Sequence, residues 1–257
     1  MILRRIREHV SAHNWFAVGI DLVIVVLGVF LGTQVSNWNA ERLAHEAGDT
    51  YRARIVRDLE NNEADLEARA AYYEQVRAFG LEVLGALDGS ARVADERLLI
   101  AAYQASQIYP RPQNRATYDE IISIGALNTL GDVEMRDRIA NYYVGLETSD
   151  ATFRNVPPYR EIVRRAIPYA VQQRIREACA EQMIQGDGVG LQRLVIPTEC
   201  SLGLPSDVLA RAAARLRATP GLDLDTTRLL GDLDQKLIQA GRGQERARVL
   251  AGDLNSR

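Results

Sequence analysis

The chain has 257 residues, 47% of them apolar, enough for one generous domain with a buried core plus an anchor. A formal net charge of −3, with Arg scattered among Asp and Glu, gives no electrostatic footprint for nucleic acid. The only three His are His9, His13 and His45, all near the N-terminal apolar stretch, so the remainder has no His-based metal or acid–base site.

Residues 1–14 form a basic tail with Arg4, Arg5 and Arg7. From Trp15 to Val35 run 21 residues in which Asp21 is the only charge. A helix of that length measures about 30 Å, the thickness of a bilayer's hydrocarbon core. Trp15 and Trp38 flank it as interfacial anchors, and Asn37 and Asn39 mark the return to water. The pattern predicts a membrane-spanning helix over residues 15–37. A cleaved signal peptide fits less well, because Trp38 stands where a small-x-small cleavage site before Ala40 is needed. A buried core helix is the other alternative, and length argues against it. The positive-inside rule favours a cytoplasmic N-terminus, with a small contrast because Arg42, Arg52, Arg54 and Arg57 follow.

Asp21 has two readings: hydration through a local water defect near the headgroups, or pairing with an Arg of a neighbouring chain. Gly28 and Gly32 form a small-xxx-small pair that lets two helix backbones approach closely. Spacings of seven and four put Asp21, Gly28 and Gly32 near one face, which predicts self-association there.

Residues 38–257 read as an extramembrane helical domain. No Pro interrupts Ala40 to Asp88, and Ile55, Leu59, Leu66, Tyr73, Val76, Val83 and Leu87 recur at helical steps. Asn62 falls on that stripe as a buried register residue. Gly48 is the expected place for a break or hinge. A second helix capped by Asp95 is expected to reach about Tyr109, where prolines stop it. Thr117 and Glu120 have capping-box spacing for a short helix that Gly125 closes. Met135, Ile139, Tyr142, Tyr143 and Leu146 mark the inward face of the next helix. A further helix starts at Pro157 or Pro158, kinks at Pro168 and runs on to Ile184.

Residues 185–205 read as a long Gly- and Pro-rich loop, with room for a two-strand hairpin. Gly186, Gly188 and Gly190 lack the strand, helix and Lys-Ser/Thr context of a phosphate cradle, and Asp187 alone makes no calcium loop. Ser206 is placed as the cap of a helix, and a last helix is expected from about Asp225 to Leu250. Cys179 and Cys200 bracket the loop; outside the cytoplasm they are expected to form a disulfide, inside it to remain buried thiols.

The segments "QVSNWN", "RATYDEIISIGALNTL" and "MRDRIANYY" resemble an uncharacterised family of bacterial single-pass membrane proteins, a domain of unknown function. The resemblance rests on Asp21, Asn37, Trp38, Asn39, Thr117, Tyr118, Ser123, Gly125, Tyr142 and Tyr143, within roughly the first 150 residues. It implies an anchored helical domain and no catalytic activity.

The overall expectation is an all-α protein, a single transmembrane helix followed by an antiparallel helical bundle. It is expected at the bacterial inner membrane with a periplasmic domain, non-enzymatic, without cofactor or metal. A self-associating sensor or scaffold is the expected role, with the bilayer, a second copy and a membrane protein as partners. With fourteen residues ahead of Trp15, any signal is expected to pass through the span. A hydrolase is disfavoured: no G-x-S-x-G occurs, no Ser has a His partner beyond His45, and capping explains Asp119 and Glu120. The alternative is a subunit of an oligomeric channel or transporter with Asp21 in the membrane interface.

Overall fold

The structure is a computed structural model that describes residues 15–109, 111–185 and 192–256. The basic tail, the side chain of Trp15 and the segment holding Gly186, Asp187, Gly188 and Gly190 lie outside the described residues.

Among the described residues the chain is all-α apart from one short hairpin. Helix α1 (Trp15–Asp88) is continuous over 74 residues, about 110 Å at 1.5 Å per residue. Its first part stands free. The large apolar residues from Val23 to Leu31 each expose more than half of their surface. A core helix would bury them, so that alternative fails. This is one helix, near the N-terminus, long and apolar enough to cross a membrane. Residues 38–46 continue the exposed rod, and packing begins at Ala47 and Gly48.

From there the stripe read from sequence turns inward: Ile55, Leu59, Leu66, Tyr73, Val76 and Val83 are fully buried. The expected break at Gly48 is absent. A Cβ on Gly48 would sit 2.4 Å from the Thr129 carbonyl oxygen. Glycine there admits the 3-10 turn Leu127–Leu130 against the helix rather than loosening it.

The other helices are α2 (Asp95–Ala105), α3 (Ala116–Ser123), α4 (Val133–Arg154), α5 (Tyr159–Ala166), α6 (Tyr169–Ala178), α7 (Ser206–Arg217) and α8 (Leu222–Asn255). Several boundaries differ from expectation. Helix α2 ends at Ala105, short of Tyr109, and Asp95 accepts a hydrogen bond from Arg217 at 2.7 Å instead of capping. Helices α5 and α6 are separate rather than kinked, because Ile167, which precedes Pro168, is extended with ψ 126°. Helix α6 stops at Ala178, and the next residues form a strand. Strands β1 (Gln182–Gln185) and β2 (Gln192–Val195) pair antiparallel with Met183 opposite Leu194, so the hairpin begins ahead of residue 185. Ser206 is the first helical residue of α7, with Pro205 at the cap position. Helix α8 has 34 residues, starting earlier and ending later than its periodicity suggested.

The principal pairing joins the first helix to the last. Arg77 meets Asp234 at 2.6 Å, Gly80 faces Leu230, Leu66 faces Gly243, and Arg248 donates to Glu63 at 2.9 Å, an antiparallel register. Two apolar cores line this pair. The one nearer the free rod gathers Ile55, Leu59, Ile121, Ile139 and Leu250. The distal one gathers Leu66, Val76, Leu99, Val163 and Leu233. Residues 58–69 of α1 pass from one to the other.

Candidate functional site

At that crossing α1 turns polar. Asp58, Asn62, Asp65 and Arg69 follow at steps of four, three and four, so they share one helical face, and all are buried. Each one grips the extended segment that follows α2. Asn62 Nδ2 donates to the Asn114 carbonyl at 2.8 Å, and the Asn114 amide donates to Asn62 Oδ1 at 2.7 Å. Asn114 Nδ2 donates to Asp58 Oδ1 at 2.8 Å, and the Thr117 amide donates to Asp58 Oδ2 at 3.3 Å. Asp58 therefore caps α3 from across the fold. The expected capping box does not form: Thr117 is buried inside the helix, and Glu120 pairs with Arg54 at 2.5 Å. Gly125 does close α3, with φ 69° and the Ala126 amide bonded to Ile121 O at 3.0 Å.

Arg69 is fully buried, with Nη2 donating to Asp65 Oδ2 at 2.5 Å and to the Arg111 carbonyl at 2.7 Å. Its guanidinium lies 4.4 Å from the Phe153 ring centroid. Asp65 also faces Arg111 Nε at 3.5 Å. Above this pair opens a cleft of about 1030 Å³ between α1, residues 111–116 and α4. That is ample for a small molecule.

The cleft carries charge of both signs in a definite order. Asp65 and Asp150 lie inside, their side chains 9% and 13% exposed. Arg111 and Arg154 lie at the rim, 53% and 67% exposed. Arg115 is engaged by both Asp119 at 2.9 Å and Glu147 at 2.8 Å, which, Glu147 foremost, hold its guanidinium above the ordinary arginine range. Among the described residues, several inner polar atoms have no hydrogen-bond partner: Asp65 Oδ1, Asp150 Oδ1 and both amide atoms of Gln113. Gln113 also borders a void of about 10 Å³ beside the unpartnered Ser149 hydroxyl, a space that suits one water.

A second pocket of about 380 Å³ is lined by Thr152, Asp232 and Lys236. Lys236, the chain's one lysine, is 1% exposed and donates to Asn155 O at 2.9 Å. Burial pushes its ammonium down to about 8, opposed by Asp232. Among the described residues, no cluster of His, Cys, Asp and Glu is arranged to hold a metal ion.

The residues singled out from sequence lie elsewhere. Asp21 is partly exposed on the free rod, and a Cβ on Gly28 or Gly32 would meet nothing within 4 Å. Trp38 is 68% exposed at the foot of the rod. Cys179 and Cys200 are bonded, with Cα atoms 5.6 Å apart, and the Cys179 carbonyl accepts from Gln104 at 2.8 Å. This bond ties the chain beyond the hairpin to the end of α6, and neither cysteine lines the cleft. Sequence reading missed Asp58, Asp65, Arg69 and Gln113. One signal was present: Arg69 stands on the apolar stripe, between Leu66 and Tyr73.

No protein-family model, curated protein or solved structure matches the chain.

Proposed function

We propose that this is a non-enzymatic, single-pass membrane protein whose outer helical domain senses a small ligand in the cleft and whose copies associate through the span. We assign it to the uncharacterised anchored family that its Asn37-Trp38-Asn39 exit resembles. In this reading the N-terminus is cytoplasmic and the domain lies in the periplasm. The observation that carries the proposal is the continuity of α1. One unbroken helix contains the apolar segment, then the exposed stalk, then the inner wall of the cleft. A shift of the cleft wall reaches the apolar segment without a joint to absorb it. The cleft also sits where the two cores meet, so a ligand there touches elements of both. Such a seam is a natural two-state element for a sensor.

Association has its own support. The face bearing Asp21, Gly28 and Gly32 is open, and the two glycines leave room for a second backbone. The disulfide supports an oxidising compartment for the domain.

The test uses the full-length protein in its membrane. It should resist carbonate extraction, and Gly28→Ile and Gly32→Ile should each lower association at least fivefold in a membrane two-hybrid assay. Intact protein released by carbonate, or association unchanged in both variants, overturns the anchored and self-associating reading.

A further inference from the structure

Resting on the reading of the cleft as a ligand site, we propose that its ligand is a small zwitterion. Its ammonium is held inside by Asp65 and Asp150, and its carboxylate is held at the rim by Arg111 and Arg154. The shared chemistry is one ammonium and one carboxylate on the same molecule, as in a free amino acid or a short peptide.

The order of charge carries the argument. The inner acids are buried and the rim arginines are half or more exposed. A simple anion deep in the cleft meets Asp65 and Asp150, and a simple cation entering it must pass two guanidinium groups. A molecule with both charges satisfies each in place. Asp65 is 7% exposed; Arg69 engages its Oδ2 at 2.5 Å, while its Oδ1 has no hydrogen-bond donor and faces Arg111 Nε at 3.5 Å. Asp150 Oδ1 is also unmet, and Arg154 engages only the other oxygen, at 3.2 Å. An ammonium carries three donors, which suits the two carboxylates that line the cleft from α1 and α4. Gln113, 6% exposed with both amide ends unpartnered, can donate to a carboxylate or accept from an ammonium. Leaving buried polar atoms unpaired is costly, and a ligand that meets them recovers that cost on binding. Arg115 takes no part, because two carboxylates, Asp119 and Glu147, hold it at 2.9 and 2.8 Å, whereas Arg154 meets only Asp150, at 3.2 Å.

The experiment is thermal unfolding of the full-length protein in detergent, at constant ionic strength, with each probe at about 10 mM. The zwitterionic probes are a pool of the common L-amino acids and a pool of dipeptides, which separate the two sources. Controls are acetate with methylamine, spermidine, citrate and sucrose. A rise of a few degrees with a zwitterionic pool, and none with acetate plus methylamine, is the expected result. Titration of the active component should then show affinity at least tenfold weaker in Asp150→Asn and in Arg154→Gln. Arg154 is 67% exposed, so its variant tests the idea even if Asp150→Asn fails to fold. No rise with either pool, or affinity unchanged in a folded variant, overturns the zwitterion. The two failures are separable. If spermidine, citrate or sucrose raises the midpoint and Ala151→Trp abolishes the rise, the ligand class is wrong and the cleft stands. If no probe acts, the ligand-site reading falls as well.

Discussion

Arg69 Nη2 lies 2.5 Å from the carboxylate of Asp65, one turn away on α1, and none of the arginine side chain reaches solvent. The pair sits at the crossing between two apolar cores, on a helix that otherwise buries apolar groups there. Taking two charges out of water costs several kcal/mol per ion, and their attraction returns that only when geometry and extra hydrogen bonds are good. Here Arg111's carbonyl supplies one such bond, and the Phe153 face covers the guanidinium. The arrangement therefore contributes position more than net stability.

A double-mutant cycle measures this directly. Asp65→Leu and Arg69→Met, made singly, should each cost about 3–5 kcal/mol, because each strands one buried charge. Made together they should cost clearly less than the sum, with a coupling of about 2 kcal/mol or more. Urea unfolding of the full-length protein in detergent gives all four values. Simple additivity would mean that the two charges do not depend on each other.

The second prediction sets two kinds of glycine against each other. Gly48→Ala replaces a poor helix former with a good one, a gain of about 1 kcal/mol on propensity alone. Its Cβ meets the Thr129 carbonyl oxygen at 2.4 Å, and backbone cannot swing aside as a side chain can. The net result should be a loss of about 1–3 kcal/mol as the 3-10 turn is pushed off the helix. Gly231→Ala and Gly241→Ala on α8 meet nothing within 4 Å and should stabilise by about 0.5–1 kcal/mol. A stabilising Gly48→Ala would restore the hinge reading.

These cases show what was legible in the sequence. The long helix was, because a 3.6-residue period needs only local spacing, and Ile55 through Val83 kept it. The position of Arg69 on that stripe was a readable sign of a buried charge. The cap of α3 was not, since Asp58 lies 59 residues ahead of the amide it meets. Thr117 and Glu120 match the local motif, but packing turns one to the core and Arg54 draws the other away. The pairing of α1 with α8 was equally hidden, because neighbours in space here are far apart in sequence. The cleft is assembled from three such segments, and its Asp and Arg look like a solvated face until α4 folds over α1.

The third prediction concerns the Cys179–Cys200 bond, whose partners are 21 residues apart. Closing a loop of that length contributes about 3 kcal/mol in the chain-entropy model. Reduction, or Cys200→Ser, should lower the unfolding free energy by that order. Amide exchange should rise first in the hairpin and the stretch to Pro205, while α1 and α8 stay protected. Peptide mapping of protein from its native membrane, without reductant, should recover the bridged pair. Free thiols there would reverse the assigned orientation.

The last prediction follows from the one lysine. Lys236 Nζ is buried against Asn155 O, with the Tyr73 ring 4.9 Å away and Asp232 on its own helix. Burial holds its ammonium at about 8, below the usual 10.5, and the opposing pull of Asp232 is smaller. Below pH 8 the folded and unfolded chains both carry the proton, and folding bears the whole desolvation cost, on the order of 3 kcal/mol. Between pH 8 and 10.5 the folded chain releases a proton that the unfolded chain retains, so this contribution improves as pH rises. Burial raises the Tyr73 phenol, so that ring stays neutral through the window. Burial raises Tyr72, Tyr142, Tyr143 and Tyr159 as well, and they oppose folding as pH rises through about 10, where the unfolded chain ionises first. Lys236→Met removes the buried charge at similar volume but also the bond to Asn155. At pH 7 it should stabilise by about 1–2 kcal/mol net of that lost bond. The variant's advantage should then fall by about 3 kcal/mol from pH 8 to 10.5 and reverse sign, while the tyrosine effect cancels in the difference. Paired urea unfolding curves at intervals across this range check it, and a gap that stays constant would show that Lys236 does not lose its proton on folding.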